Sequence, residues 1–111
     1  MWGAVNPPGR DVQMPQFIGL VNWTDQGAQK ATESVGRAKA FEKMATEMGC
    51  KVHGLFYTMG QYDLTIRIEA PDAETVSAVL LKVAQLGNVR SVTLPAFTEE
   101  EFEKIVKKVT G

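Results

Sequence analysis

The middle of the chain limits the fold most. Lys51 to Thr58 (KVHGLFYT) and Tyr62 to Glu69 (YDLTIRIE) are two strand-like runs, the second strictly alternating between apolar and polar residues. Only Met59-Gly60-Gln61 lies between them. A link that short can only turn, so the two strands form an antiparallel hairpin. A strand–helix pair precedes the hairpin, and a helix–strand pair follows it. Gln16 to Trp23 (QFIGLVNW) is apolar on both alternating sets, as expected of a central strand covered on both faces. After a polar connection from Asp25, the residues Ala31, Val35, Ala38, Phe41, Ala45 and Met48 recur at helical spacing, with Gly49 as the stop.

Beyond the hairpin, Pro71 breaks the strand and Asp72 is placed to cap a helix over Ala73 to Leu86. Val76, Val79, Leu80 and Val83 form its inward stripe, and Gly87 ends it. Asn88 to Phe97 (NVRSVTLPAF) reads as a fourth strand, and its Pro95 suits a sheet edge. Thr98 to Glu101 is a capping box that opens a last helix with an apolar face of Phe102, Ile105, Val106 and Val109. Acids stand at its start, and Lys104, Lys107 and Lys108 lie toward its end, as the helix dipole favours. The order β-α-β-β-α-β with right-handed crossovers predicts an α+β ferredoxin-like plait. Its four-stranded antiparallel sheet carries both crossover helices on one face. Residues 14–111 are expected to form one such domain, and residues 1–13 (MWGAVNPPGRDVQ) an N-terminal extension or arm anchored by Trp2 on a neighbouring subunit.

The plait leaves the other face of the sheet bare. Ile18 and Leu20 point to one side of the first strand, and Phe17, Val21 and Trp23 to the other, so one greasy set has no helix over it. Covering a large apolar side chain is worth roughly 1.5–3 kcal/mol, and exposed patches of this kind mark partner sites. The expected partner is the chain itself, as a homodimer or higher homo-oligomer with two sheets face to face. The alternative is that the last helix folds back over the bare face. Twelve basic and 13 acidic residues leave a net charge of −1, with no cationic stretch, so nucleic acid is not an expected partner. No apolar run is long enough for a bilayer, and no secretory signal is visible. One cysteine, Cys50, excludes an internal disulfide, and the expected location is cytoplasmic.

Alternation sets Leu64, Ile66 and Ile68 toward the helices, so Asp63, Thr65, Arg67 and Glu69 fall on the bare face. Arg67 either pairs with Glu69, Asp63 or a partner subunit, or stands free to bind a carboxylate or phosphate in a pocket between facing sheets. His53 is the single histidine, and imidazole ordinarily titrates near neutral pH. It is therefore the obvious general base if the chain is an enzyme, and otherwise a surface or interface residue. Tyr57 and Tyr62 flank the hairpin turn as pocket donors or rim groups. Cys50 reads as a small packed residue. One His and one Cys cannot build a tetrahedral metal site, no haem signal accompanies His53, and neither metal nor cofactor is expected. No triad, phosphate loop or dinucleotide fingerprint occurs.

Five segments share a pattern. They are Leu20 to Gly27 (LVNWTDQG), Gly60 to Asp63 (GQYD), Glu69 to Asp72 (EAPD), Gly87 to Arg90 (GNVR) and Ala96 to Glu99 (AFTE). In order and spacing they resemble the GYD-domain family from about Met14 to Val109. The resemblance implies a ferredoxin-like fold of the dimeric α/β barrel type and brings no established reaction or catalytic residues. In a plait the end of the first strand lies beside the start of the third, which sets Trp23 and Asp25 near Tyr62 and Asp63. The candidate binding residues are therefore Trp23, Asp25, His53, Tyr62, Asp63 and Arg67. Three functions remain open: a small-molecule binder with a pocket between sheets, a cofactor-independent oxygenase or isomerase, and a structural self-assembling subunit.

Overall fold

The structure is a computed structural model that describes residues 14–111. The expected arm over residues 1–13, with Trp2 as its anchor, lies outside the described residues. The elements run β1 (Gln16–Trp23), α1 (Asp25–Gln29), a 3₁₀ turn (Ala31–Glu33), α2 (Ser34–Glu47), β2 (Lys51–Tyr57), β3 (Leu64–Glu69), α3 (Ala73–Gln85), β4 (Val89–Ala96) and α4 (Glu99–Thr110). The four strands form an antiparallel sheet in the order β2-β3-β1-β4, which is the ferredoxin-like plait. β1 is central, as its two apolar sets require, and β4 with its Pro95 is an edge.

The core lies between the sheet and the two long helices. Phe17 and Val21 of β1 join Leu64, Ile66 and Ile68 of β3 against Phe41 and Ala45 of α2 and Val76 and Val79 of α3. Cys50 and Ala70 fill the base. Local chemistry explains the boundaries. Asp72 accepts the Thr75 amide at 2.7 Å to start α3, and Thr98 with Glu101 closes a full capping box on α4.

Three details depart from the sequence reading. The polar connection after β1 coils into α1, where Thr24 caps the Gly27 amide. Tyr62 and Asp63 belong to the β2–β3 turn rather than to the strand. Gly60 takes a φ of 102° in that turn, a conformation that disfavours side chains. Val35, expected on the inward stripe of α2, is exposed, and Ser34 is buried in its place.

β2 carries an irregularity that decides which side chains go where. Val52 pairs with Ile68 and Gly54 with Arg67, so His53 is an extra residue in the ladder. Past this bulge the alternation is reset. Leu55 and Tyr57 pair with Ile66 and Leu64 on the helix side, while Phe56 pairs with Thr65 on the bare side.

Candidate functional site

The helix-free face is built from alternate residues of all four strands. β1 supplies Ile18 and Leu20, and β4 supplies their cross-strand partners Leu94 and Val92. β2 adds Phe56 through its bulge, and β3 adds Thr65, Arg67 and Glu69. Phe56, Val92 and Leu94 are 67%, 51% and 45% exposed, a degree of wetting that a core residue never shows. The last helix does not fold back to cover them. α4 has no buried residue, and its own Phe102, Val106 and Val109 face solvent.

Polar groups stand at one end of this apolar field. The His53 ring nitrogen Nε2 meets Glu69 Oε1 at 2.6 Å, a short charge-assisted contact when the ring is protonated. That pairing occupies one of the two acids nearest Arg67 in sequence. Asp63, the other, is engaged elsewhere: its Oδ2 accepts the Trp23 amide at 2.9 Å and the Asn22 side-chain amide at 3.4 Å. Among the described residues the Arg67 side chain makes neither a hydrogen bond nor an ion pair, and the residue is exposed.

The expected meeting of β1 with the hairpin turn occurs. Asn22 Nδ2 donates to Gln61 O at 2.8 Å, and the Asp63 amide donates to Val21 O at 2.8 Å. Tyr62 contributes its carbonyl to Thr58 Oγ1. Asp25 sits in the first turn of α1, exposed. The six candidates therefore divide into three groups. Trp23, Tyr62 and Asp63 gather at the turn, Asp25 stands beside them on α1, and His53 and Arg67 lie on the helix-free face.

A second lock, invisible from spacing, ties α1 to the α3–β4 connection. Thr24 Oγ1 donates to Gly87 O at 2.6 Å, the Thr24 amide donates to Asn88 O, and Gln26 Nε2 donates to Leu86 O and Asn88 Oδ1. Gly27 packs directly on the Asn88 backbone, leaving no room for a Cβ. The short motifs of the sequence are thus largely contacts between loops.

The sheet's helix side holds a cavity of about 230 Å³ between α2 and α3. Its wall is chiefly carbon from Val21, Trp23, Phe41, Met44, Leu80 and Val83. Short residues open it: Ser34, Ala38 and Ala40 on α2, Ala84 on α3 and Ser91 on β4. Ser34 and Tyr57 share a hydroxyl hydrogen bond at 3.2 Å. Among the described residues Arg37 is the one charged side chain in the wall. Its Nη1 donates to Lys30 O at 3.0 Å and lies 3.9 Å from Glu33, while its Nη2 is buried with no hydrogen-bond partner. Sequence reasoning passed over Arg37, because an arginine four residues after a glutamate resembles an ordinary solvent-facing helix pair. Cys50 is buried; desolvation, and next the Asp72 charge, push its thiol pKa up, so it is a packing residue and a poor nucleophile. Among the described residues no cluster of His, Cys, Asp and Glu is arranged to hold a metal, and no helix is long and apolar enough to cross a membrane.

Comparison with known proteins agrees with this architecture. Residues 17–106 match the family model described as the GYD domain. A protein of Thermus thermophilus named "Glutamine synthetase and cystathionine beta-lyase binding protein" is 34% identical over 84 residues, covering 75% of this chain and 88% of the relative. No solved structure matches.

Proposed function

The chain belongs to the GYD-domain family, and on that premise we propose that it is a binding protein whose working surface is the helix-free face of the sheet. The observation that carries this is the apolar field of half-buried Ile18 and Leu20 and exposed Phe56, Val92 and Leu94, which no helix among the described residues covers. Removing such side chains from water is worth roughly 1.5–3 kcal/mol each when burial is complete. A second copy of the same face is the first occupant, because a two-fold axis presents each apolar residue to an equally apolar surface. The name of the Thermus thermophilus relative points to protein partners as well, and the oligomer made by this face is the form that would meet them.

Closing two such faces encloses Arg67. Of the two acids nearest it in sequence, Glu69 is taken by His53 and Asp63 by the Trp23 amide, and among the described residues no acid pairs with it. An enclosed guanidinium without an anion is costly, so the assembled face requires a partner carboxylate or a small anionic ligand there. Such a ligand would occupy a pocket between the sheets. The His53–Glu69 pair on that face also supports a second reading, an oxygenase or isomerase in which Glu69 orients His53 as the base and Arg67 holds the substrate's anionic group.

Sedimentation equilibrium at micromolar concentration tests the proposal. The expected result is a dimer or larger species, converted to a monomer by Leu94→Asp with far-UV circular dichroism unchanged. A wild-type chain that sediments as a monomer overturns it.

A further inference from the structure

We propose that the cavity between α2, α3 and the sheet is a binding site for a small carboxylic acid with an apolar, ring-sized body. Size is the first argument. The recess opens to solvent beside Ala40, Leu86 and Ser91, which gives a ligand a way in, and an apolar cavity of roughly 150 Å³ already admits benzene. At about 230 Å³ this one takes a ring and a short substituent. Shape and chemistry are the second. Trp23 and Phe41 offer aromatic faces and edges to a ring, with Met44, Leu80 and Val83 completing an apolar wall. Small side chains on α2 and α3 keep the space open.

Charge is the third. Among the described residues the wall has one cation and no acid. Glu33, the nearest acid recorded for Arg37, is 68% exposed at its side chain and lies 3.9 Å away, beyond hydrogen-bond reach. Lys30 O fixes Nη1, and Nη2 is out of water without an acceptor. Arg37 lines the cavity, and a carboxylate bound beside it would accept from that nitrogen while Nη1 keeps its bond to Lys30 O. A neutral ligand would leave it orphaned. The site lies on the opposite side of the sheet from the proposed docking face, so either can fail while the other stands.

Titration of ¹⁵N-labelled protein with phenylacetate, and separately with its neutral counterpart phenylacetamide, tests the inference. Saturable amide shifts centred on Trp23, Arg37 and Ala84 are expected. Phenylacetate should bind roughly tenfold tighter, the worth of one charge-assisted hydrogen bond. Arg37→Gln should bring the two affinities to within about twofold, the expected result if that bond is lost. Ala84→Leu fills the space and should abolish both; it decides the matter alone if Arg37→Gln does not fold. Absence of saturable shifts, shifts mapping to the helix-free face, equal affinities in the wild type, or binding that survives Ala84→Leu each overturns the proposal.

Discussion

The carboxylate of Asp63 accepts from the Trp23 backbone, and Thr24, Gln26 and Gly27 clasp the Gly87–Asn88 turn, so the residues that carry the family pattern are engaged in the fold. Gly27 shows the physical reason most directly. A methyl group there would sit inside the van der Waals surface of the Asn88 carbonyl, and the obstacle is backbone that cannot rotate away. Gly27→Ala should destabilise by roughly 1–3 kcal/mol or more, as overpacking does. Gly36→Ala is the contrast: nothing lies within 4 Å, and removing a glycine from a helix interior should add about 0.5–1 kcal/mol. Urea titration checks both, with midpoints moving in opposite directions at constant slope. At this scale the sequence was legible wherever a residue acts on its neighbours, as Thr98 and Asp72 do in capping. It was silent on Arg37, whose role depends on a cavity walled by residues distant along the chain.

Helices and strands announced themselves through periodicity and caps, and their ends moved by only a few residues. The α3 cap has a consequence for pH. Hydrogen bonds from the Thr75 hydroxyl and then its amide hold the Asp72 carboxyl below its ordinary pKa. A depressed folded-state pKa means stability that is present above the ordinary carboxylate value and is lost as pH falls through the lowered one. Asp72→Asn, which cannot ionise, should therefore lower stability most at neutral pH and converge with the wild type in acid, which flattens the acid limb of its profile. Thermal melts from neutral to strongly acidic pH check this, and identical acid limbs would refute it. β2 is where element-level reading ran out. Its bulge at His53 resets the alternation, sending Phe56 to the bare face and Leu55 and Tyr57 inward. A bulge depends on how β2 registers against β3, which pattern within β2 alone does not encode.

For the molecule as a whole, protection should follow burial. β1 and β3, with ladder partners on both edges and Phe17, Val21, Ile66 and Ile68 buried beneath them, should exchange their amides last. α4, with no buried residue, should exchange first in the monomer. Its slowing on assembly, read by hydrogen exchange with and without Leu94→Asp, would place it in the oligomer contact. The covered side of the sheet and the bare side come from the same alternation: α2 and α3 cover one, and no helix among the described residues covers the other.

The sequence alone determined the order of the four strands and the three long helices, the hairpin, the central place of β1, the edge place of β4 and the excess of apolar surface on one side of the sheet. Those follow from period, caps and turn length, which are local properties of the chain. Tertiary structure decided that His53 meets Glu69, that no acid among the described residues pairs with Arg67, and that an open space lies under the helices beside Arg37. Each depends on distances between side chains far apart in sequence, and local pattern does not encode those distances.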